Sequence, residues 1–330
     1  MPSPVIDVHT HMLTDRWLGM LAEHGGEHLH YKVNPATGKM CIFKEGAPFM
    51  TPTPPMSDYA LRIRKMDEAG VDVAIVSLTC PNVFFGTGEI SLAAARDIND
   101  DMAAARARYP DRIRWFASLP WQHSALAIAE LDRALADGAS GVVVLGNIAG
   151  AALTDARFAP VWRAIDDKAL PVFIHPTAPP GIGAMGMNQF NLTPPLGFTF
   201  DTSLAVARLV LDGFLDRHKR LKLIAGHGGG TIPYLAGRMD FCWDNHPGAR
   251  EKTSQRPTEY LKRVYADAVL FRQDALEMAV SVFGEDNVMY GSDYPHAIGD
   301  MVGCLSRVDA LPAVRRDKVR GRNAERLFGL

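Results

Sequence analysis

The sequence predicts an α/β fold, a (β/α)8 TIM barrel with an insertion after strand one and a C-terminal helix. Eight short apolar runs alternate with helical patterns, and none of the runs alternates cleanly between polar and apolar residues. The repeating units cover about 290 residues, a size typical of this barrel. An open doubly wound sheet would need a glycine fingerprint after its first strand, and the HTHM segment there has none. We therefore expect a single barrel domain over residues 1–330.

Most of the predicted strands are rich in β-branched residues, as expected of strands buried on both faces. They span residues 5–9, 71–78, 113–119, 141–146, 170–175, 221–227, 264–269 and 288–293. The predicted helices span residues 58–69, 90–108, 124–137, 158–168, 201–216, 231–244, 272–283 and 313–328. Gly70 and Gly138 directly follow two of these helices, where glycine commonly ends a helix.

Residues 12–57 interrupt the alternation, because they are too many for an ordinary loop between a strand and a helix. The stretch contains Gly25-Gly26, Asn34-Pro35 and a proline-rich segment at 51–55, all typical of turns. We expect a small hairpin subdomain over the mouth of the barrel.

The composition is that of a globular protein, with 47% hydrophobic and 22% charged residues. A net charge of −2 without a basic stripe disfavours a nucleic-acid partner, and no apolar run has the length of a membrane span. The four cysteines show no CxxC spacing, which favours reduced thiols in a cytoplasmic protein.

Histidines and an aspartate close four of the predicted strands. His9 and His11 lie two residues apart on strand one and therefore share a face. His175 ends strand five, His227 ends strand six and Asp293 ends strand eight. Each could be an isolated buried side chain or a helix cap. However, the carboxyl ends of all barrel strands meet at one face, so the five residues together predict a catalytic cleft.

Three imidazoles and a carboxylate predict a metal site formed by His9, His11, His175 and Asp293. This ligand set favours Zn²⁺, with iron, cobalt or manganese as alternatives. We expect His227 to act as a proton shuttle beside the metal, because the pKa of an imidazole lies near neutral pH. The alternative for His227 is a structural role in a tight GHGGG turn. Asp293 is expected to contribute to catalysis as well as to metal binding.

These motifs resemble the amidohydrolase superfamily, in which HxH follows strand one, His follows strands five and six, and Asp follows strand eight. Strand four ends at Asn147 without the Lys or Glu of binuclear members, so the resemblance implies one metal per chain. IDVHTH, RIRKMDEAGVDVAIVS, LKLIAGHGGG with LAGRMD, and MYGSDYP are most similar to α-amino-β-carboxymuconate-ε-semialdehyde decarboxylase and its relatives.

The resemblance implies a zinc-dependent, non-hydrolytic decarboxylase of a small unsaturated or aromatic carboxylate, forming a homodimer. Arg238 matches an arginine that binds a substrate carboxylate, within the chain or across the dimer interface. Two other family arginines are replaced by Met50 and His246, and a family aromatic residue is replaced by His296. These three positions are candidate substrate contacts, and their departure from the family leaves the substrate open.

Two other functions are compatible with the same scaffold, because fold and metal do not fix the reaction. One is a hydrolase or hydratase acting on a lactone, an amide or an enol. The other is a metal-holding binding protein without catalysis.

Overall fold

A computed structural model describes residues 3–330 and shows eight parallel strands arranged as a nearly closed barrel. The strands are β1 (Ile6–His11), β2 (Val73–Ser77), β3 (Ile113–Ser118), β4 (Gly141–Leu145), β5 (Pro171–His175), β6 (Lys222–Ala225), β7 (Tyr265–Asp267) and β8 (Val288–Met289). Each is hydrogen-bonded to the next in this order. Val8 N donates to Tyr290 O (3.0 Å), and Thr10 forms a parallel bridge with Tyr294, so the last strand returns to the first. The predicted (β/α)8 barrel is confirmed.

Helices surround the strands on the outside. They are α1 (Asp15–His24), α2 (Tyr59–Ala69), α3 (Gly88–Arg108), α4 (Ser124–Ala136), α5 (Ala159–Asp167), α6 (Phe198–Leu211), α7 (Phe214–Arg217), α8 (Ile232–Asn245), α9 (Pro257–Leu261), α10 (Gln273–Phe283), α11 (Met301–Asp309), α12 (Ala313–Asp317) and α13 (Asn323–Phe328). No helix within residues 3–330 combines the length and the apolar character needed to cross a bilayer.

Four helical segments of the barrel differ from the prediction, and one of them is α9, which the sequence analysis did not expect. The helix expected at 201–216 is split into α6 and α7, because Gly213 between them adopts a left-handed conformation with φ of 64°. The helix expected at 313–328 is divided by a π turn at Lys318–Arg322. The sequence analysis missed α11, although Asp300 caps it by accepting a hydrogen bond from Gly303 N (2.7 Å).

The insertion contains more than the expected hairpin. α1 is followed by three antiparallel strands, Leu29–Val33, Met40–Lys44 and Ala47–Met50. Trp17 of α1 is fully buried and donates from its indole to Asn82 O (3.1 Å), in the loop after β2. We propose that residues 12–57 are a subdomain of one barrel domain, because this contact fixes them to the carboxyl side of the strands.

Apolar side chains fill the amino-terminal part of the barrel interior. Phe116 of β3 stacks on Phe173 of β5 with ring centroids 5.6 Å apart, and Phe328 packs against Phe116 from below. Phe173 in turn contacts the ring of His9 at 4.7 Å. The polar residues at the carboxyl end of the barrel therefore pack directly on this apolar layer.

Asn323 connects the C-terminal helix to the barrel, and its replacement should be costly. Its buried side-chain amide donates to the carbonyl oxygens of Glu285 and Val288, both at 2.8 Å. We expect Asn323→Ala to lower the free energy of unfolding by about 1–3 kcal/mol, because two carbonyl groups lose their donor. Urea unfolding followed by circular dichroism measures this change. Asn245→Ala, which removes an exposed bond to Phe241 O, is the matched control and should change little; equal effects would contradict the assignment.

Candidate metal centre

The structure brings His9, His11, His175 and Asp293 together at the carboxyl end of the barrel. One ligand atom from each residue lies within 4.8 Å of the others, and all four side chains are buried. The imidazole rings meet edge to face, with centroid distances of 4.6 to 5.2 Å among the three histidines. This convergence depends on the barrel, because the residues come from β1, from β5 and from the segment after β8.

Within residues 3–330, three buried imidazole nitrogens form no hydrogen bond: His9 Nε2 and His175 Nε2 in the cluster, and His227 Nδ1 beside it. The other nitrogen of each of the two cluster rings is held: His9 Nδ1 lies 2.6 Å from Asp267, and His175 Nδ1 donates to Pro176 O (2.7 Å). These bonds direct both Nε2 atoms towards Asp293. Buried polar atoms without partners are costly, and a cation between the nitrogens and the carboxylate would remove that cost. The donor set therefore fits a divalent metal.

Asp293 reaches the cluster from a turn with an unusual backbone conformation. Its φ is 58°, in the left-handed region that aspartate tolerates better than most residues. Its backbone N–H donates to His9 O (2.8 Å), which fixes the turn against β1. One carboxylate oxygen lies 3.2 Å from His9 Nε2 and 3.2 Å from His11 Nε2. The other lies 3.4 Å from His227 Nε2.

Asp267, which the sequence analysis missed, supports the centre from the end of β7. Besides its bond to His9, its carboxylate accepts backbone hydrogen bonds from His227 and Gly228, both at 2.9 Å. A carboxylate behind a metal-binding histidine fixes the ring orientation and raises its basicity. The available signal was an acidic residue at the end of the seventh strand, in VYADAV, at the same barrel face as the other candidates.

The carboxylates and the histidines shift one another's pKa values. Burial alone would lower the pKa of His9, but Asp267 and Asp293 raise it to about 10. Burial lowers the pKa of His11 to about 3 and that of His175 well below its usual range. Burial would raise the pKa of Asp293, yet the His9 charge and hydrogen bonds from the histidines hold it well below its usual range. Burial thus favours the neutral form of His11 and His175, the form that binds metals, whereas His9 would release a proton when a metal binds.

His227 lies in a tight turn beside the cluster. Within Gly226–Gly229 its φ is 53°, and Gly228 and Gly229 also have positive φ. A β-carbon at Gly228 would collide with Leu270, and one at Gly229 would collide with Phe283. The glycines thus permit the close approach that places His227 at 4.9 Å from His9 between ring centroids. The tight GHGGG turn predicted as the structural alternative for His227 is present. The same turn places the imidazole of His227 beside the cluster.

A buried arginine holds the end of β1. The guanidinium of Arg62 is fully buried and donates to the hydroxyl of Thr10 and to the carbonyl of His11. Nearby, Asp7 points away from the ligands and accepts hydrogen bonds from the backbone and the hydroxyl of Ser292 at 3.1 and 2.5 Å. Arg62 and Ser292 therefore fix β1, the strand that carries His9 and His11, at two places.

The four predicted substrate contacts lie in different places. His296 is near the centre: its Nε2 is 2.9 Å from the hydroxyl of Thr79, and its ring is 4.9 Å from that of His11. Met50 is buried at the end of the third strand of the insertion. Arg238 and His246 are exposed on α8 and at its end. His246 follows the last residue of α8, a helix roughly 21 Å long, so it lies about a helix length from the residues at the start of α8.

Arg238 does not form the ion pairs that a structural role on the helix would predict. Asp240 accepts hydrogen bonds from Thr258, and Asp244 pairs with Arg256 at 2.8 Å. The guanidinium of Arg238 is thus left to solvent or to a partner outside the described chain.

Fold and cluster together define a metal-dependent barrel enzyme whose centre is built from three histidines and one aspartate. Residues 6–330 match the family model described as amidohydrolase, and the chain belongs to that family.

Three relatives place the chain among decarboxylases. A 2-amino-3-carboxymuconate-6-semialdehyde decarboxylase of Dictyostelium discoideum is 27% identical to this chain. The alignment covers 98% of this chain and 91% of the relative's chain. The structure of a 5-carboxyvanillate decarboxylase from Sphingomonas paucimobilis has a TM-score of 0.86 and 26% identity, over 99% of both chains. That of a 5-carboxyvanillate decarboxylase from Novosphingobium aromaticivorans, with bound manganese and 3-methoxy-4-hydroxy-5-nitrobenzoic acid, has a TM-score of 0.85 and 25% identity, over 99% and 97% of the chains.

Replacing Asp267 should weaken metal binding without removing a ligand. Asp267→Asn keeps the shape of the side chain but removes the charge that raises the basicity of His9. We expect the affinity for Zn²⁺ or Mn²⁺ to fall about 10- to 100-fold, measured by competition with a chelator. Asp274→Asn, which alters an exposed pair with Arg272, is the control. An unchanged affinity in Asp267→Asn would show that the carboxylate does not act on the metal.

Proposed function

We propose that this protein is a zinc-dependent, non-hydrolytic decarboxylase of a small unsaturated or aromatic carboxylate. The observation that carries the proposal is the buried cluster of His9, His11, His175 and Asp293 with His227 beside it. The family relatives, which are named decarboxylases, support the reaction type. A bound divalent ion would act as a Lewis acid that stabilises the negative charge developing on the substrate.

The residues of the chain account for the proton that decarboxylation requires. When the bond to the carboxylate breaks, its electron pair stays on the substrate carbon, which must then gain a proton. His227 Nε2 lies 3.4 Å from an oxygen of Asp293, so the ionised carboxylate would stabilise a protonated His227, and this ring would donate its proton to the substrate carbon. Both side chains are buried, so this proton transfer would take place away from bulk water.

The donor set supports zinc and a single ion per chain. Three imidazoles with one carboxylate are typical of zinc sites, whereas manganese prefers oxygen donors. At the end of β4, Asn147 donates its amide to Ala178 O (3.1 Å) and to Asp201 (2.8 Å), so it offers no bridging carboxylate for a second ion. Elemental analysis of the purified protein tests both statements: another metal in place of zinc would contradict the first, and two tightly bound ions per chain would contradict the second.

A homodimer is the assembly we propose, with α8 at its interface. Tyr234, Arg238 and Phe241 lie on one face of this helix, and the two aromatic side chains are 79% and 70% exposed. Large exposed aromatic side chains on one face are typical of an interaction surface. Such an interface would place Arg238 at the neighbouring chain, where it can bind a substrate carboxylate.

The proposed location is the cytoplasm. Cys41, Cys80, Cys242 and Cys304 are all free, and three of them are buried. Free thiols are typical of proteins from a reducing compartment.

His227 should be needed for turnover but not for metal binding. We expect His227→Ala to keep its metal and to lose about a hundredfold or more in kcat, the scale of a general acid–base residue. Release of carbon dioxide from a panel of aromatic and unsaturated carboxylates measures the reaction. His28→Ala, at an exposed histidine of the insertion, is the control.

The same assay separates the alternatives. Hydrolysis or hydration of a panel of lactones, amides and enols without carbon dioxide release would favour the hydrolase. Loss of metal from His227→Ala would show that His227 is a ligand.

Arg238 should act on the active site of the partner chain. We expect Arg238→Ala to raise KM by about tenfold or more, because a carboxylate loses its charged partner. Mixing Arg238→Ala with His227→Ala should restore partial activity, because hybrid dimers contain one site with both residues intact. If Arg238 bound the substrate of its own chain, mixing the two variants would not restore activity. A protein that is monomeric in analytical ultracentrifugation would contradict the proposed interface.

A further inference from the structure

Asp201 is a buried carboxylate outside the metal cluster, and the proposed reaction does not use it. It lies in the first turn of α6 and is 1% exposed. An acidic residue at this place commonly interacts with the N–H groups of its own helix. In the described part of the chain, however, its two oxygens accept hydrogen bonds from Thr177 N (2.9 Å) and from the side-chain amide of Asn147 (2.8 Å). The carboxylate therefore connects α6 to the ends of β4 and β5.

The segment that Asp201 holds is the one that follows the metal ligand His175. The backbone N–H that donates to Asp201 lies two residues beyond this ligand. At the end of β4, Gly146 N donates to His175 O (2.8 Å), and the amide of Asn147 also donates to Ala178 O (3.1 Å). Three backbone groups between residues 175 and 178 are thus fixed by Asp201 and by the end of β4.

The conformation of this segment determines the orientation of the His175 ring. His175 Nδ1 donates to Pro176 O (2.7 Å), a carbonyl group of the same segment. The opposite nitrogen, Nε2, is the one that is buried without a partner. A displaced Pro176 carbonyl would turn the ring and move Nε2 away from the other ligands. Asp201 therefore acts on His175 through the backbone, whereas Asp267 acts on His9 directly.

The surroundings of Asp201 are specific for a carboxylate in this position. A β-carbon at Gly146 would collide with the carboxylate, so the glycine permits its close approach to β4. Burial raises the pKa of Asp201 to about 6, and the hydrogen bonds from Thr177 and Asn147 oppose that shift. Because two N–H donors meet two acceptor oxygens, an asparagine here would turn its own NH₂ group towards one of the donors.

We propose that Asp201 is a positioning residue of the metal centre, which holds the segment after His175 so that Nε2 of this ring is directed towards Asp293. The inference goes beyond the proposed function, because it concerns the binding of the metal and holds for any reaction at the centre. The competing role for Asp201 is purely structural, as a contact that joins α6 to the barrel.

Binding of Co²⁺ to the metal-free protein separates the two roles, because the visible absorption of this ion depends on its coordination geometry. We expect Asp201→Asn to lower the Co²⁺ affinity about tenfold, measured by competition with a chelator. The absorption bands of the bound ion should also change, because His175 meets it in a different orientation. Asp166→Asn is the matched control. Asp166 accepts a backbone hydrogen bond from Arg220 (2.8 Å) before β6, at the amino end of the barrel, and its replacement should leave affinity and spectrum unchanged.

Asp201→Ala is the second variant, because it removes both acceptors and leaves room for water to accept the two hydrogen bonds. It should fold and show the same two changes in Co²⁺ binding. Variants of Asp201 that melt at a lower temperature but bind Co²⁺ with the affinity and spectrum of the wild type would overturn the proposal. If both changes appear while no carboxylate releases carbon dioxide, the decarboxylase proposal fails and the positioning role of Asp201 stands.

Discussion

The hydrogen bond between His9 Nδ1 and Asp267, 2.6 Å long, is the interaction on which the rest of the centre depends. It directs His9 Nε2 towards Asp293, and the same carboxylate accepts the backbone N–H groups of His227 and Gly228. One buried charge therefore positions a metal ligand and the proposed proton shuttle together.

The groups that support the centre are held by hydrogen bonds and charges that offset part of the cost of burying them. Asp7 is buried, which raises its pKa to about 6, yet hydrogen bonds from Ser292 and the charge of Arg62 oppose that shift. Arg62 in turn holds the end of β1 through neutral oxygens. Below this network, Phe173 excludes water from the ring of His9. The ligands are thus fixed before a metal binds, and binding need not bear the cost of ordering them.

The barrel and the ligand cluster could be predicted because their signals are local. Each strand is a short apolar run, and His9, His11, His175, His227 and Asp293 stand at strand ends that the fold brings together. Asp267 ends the seventh predicted strand at the face of the other candidates, but a lone acidic residue has no partner at a fixed spacing that would mark it as part of a site. Only the tertiary structure shows that its carboxylate lies behind His9. The break at Gly213 was missed because a single glycine within an apolar helical pattern does not show whether it interrupts the helix.

The proposed chemistry and the candidate substrate contact Met50 belong to different parts of the chain. All four cluster residues belong to the barrel framework, whereas Met50 belongs to the insertion. In the antiparallel sheet of the insertion, Met50 pairs with Ile42. If Met50 contacts the substrate, substitutions in the insertion would alter which carboxylate is recognised while Asp267, the cluster and His227 keep their geometry.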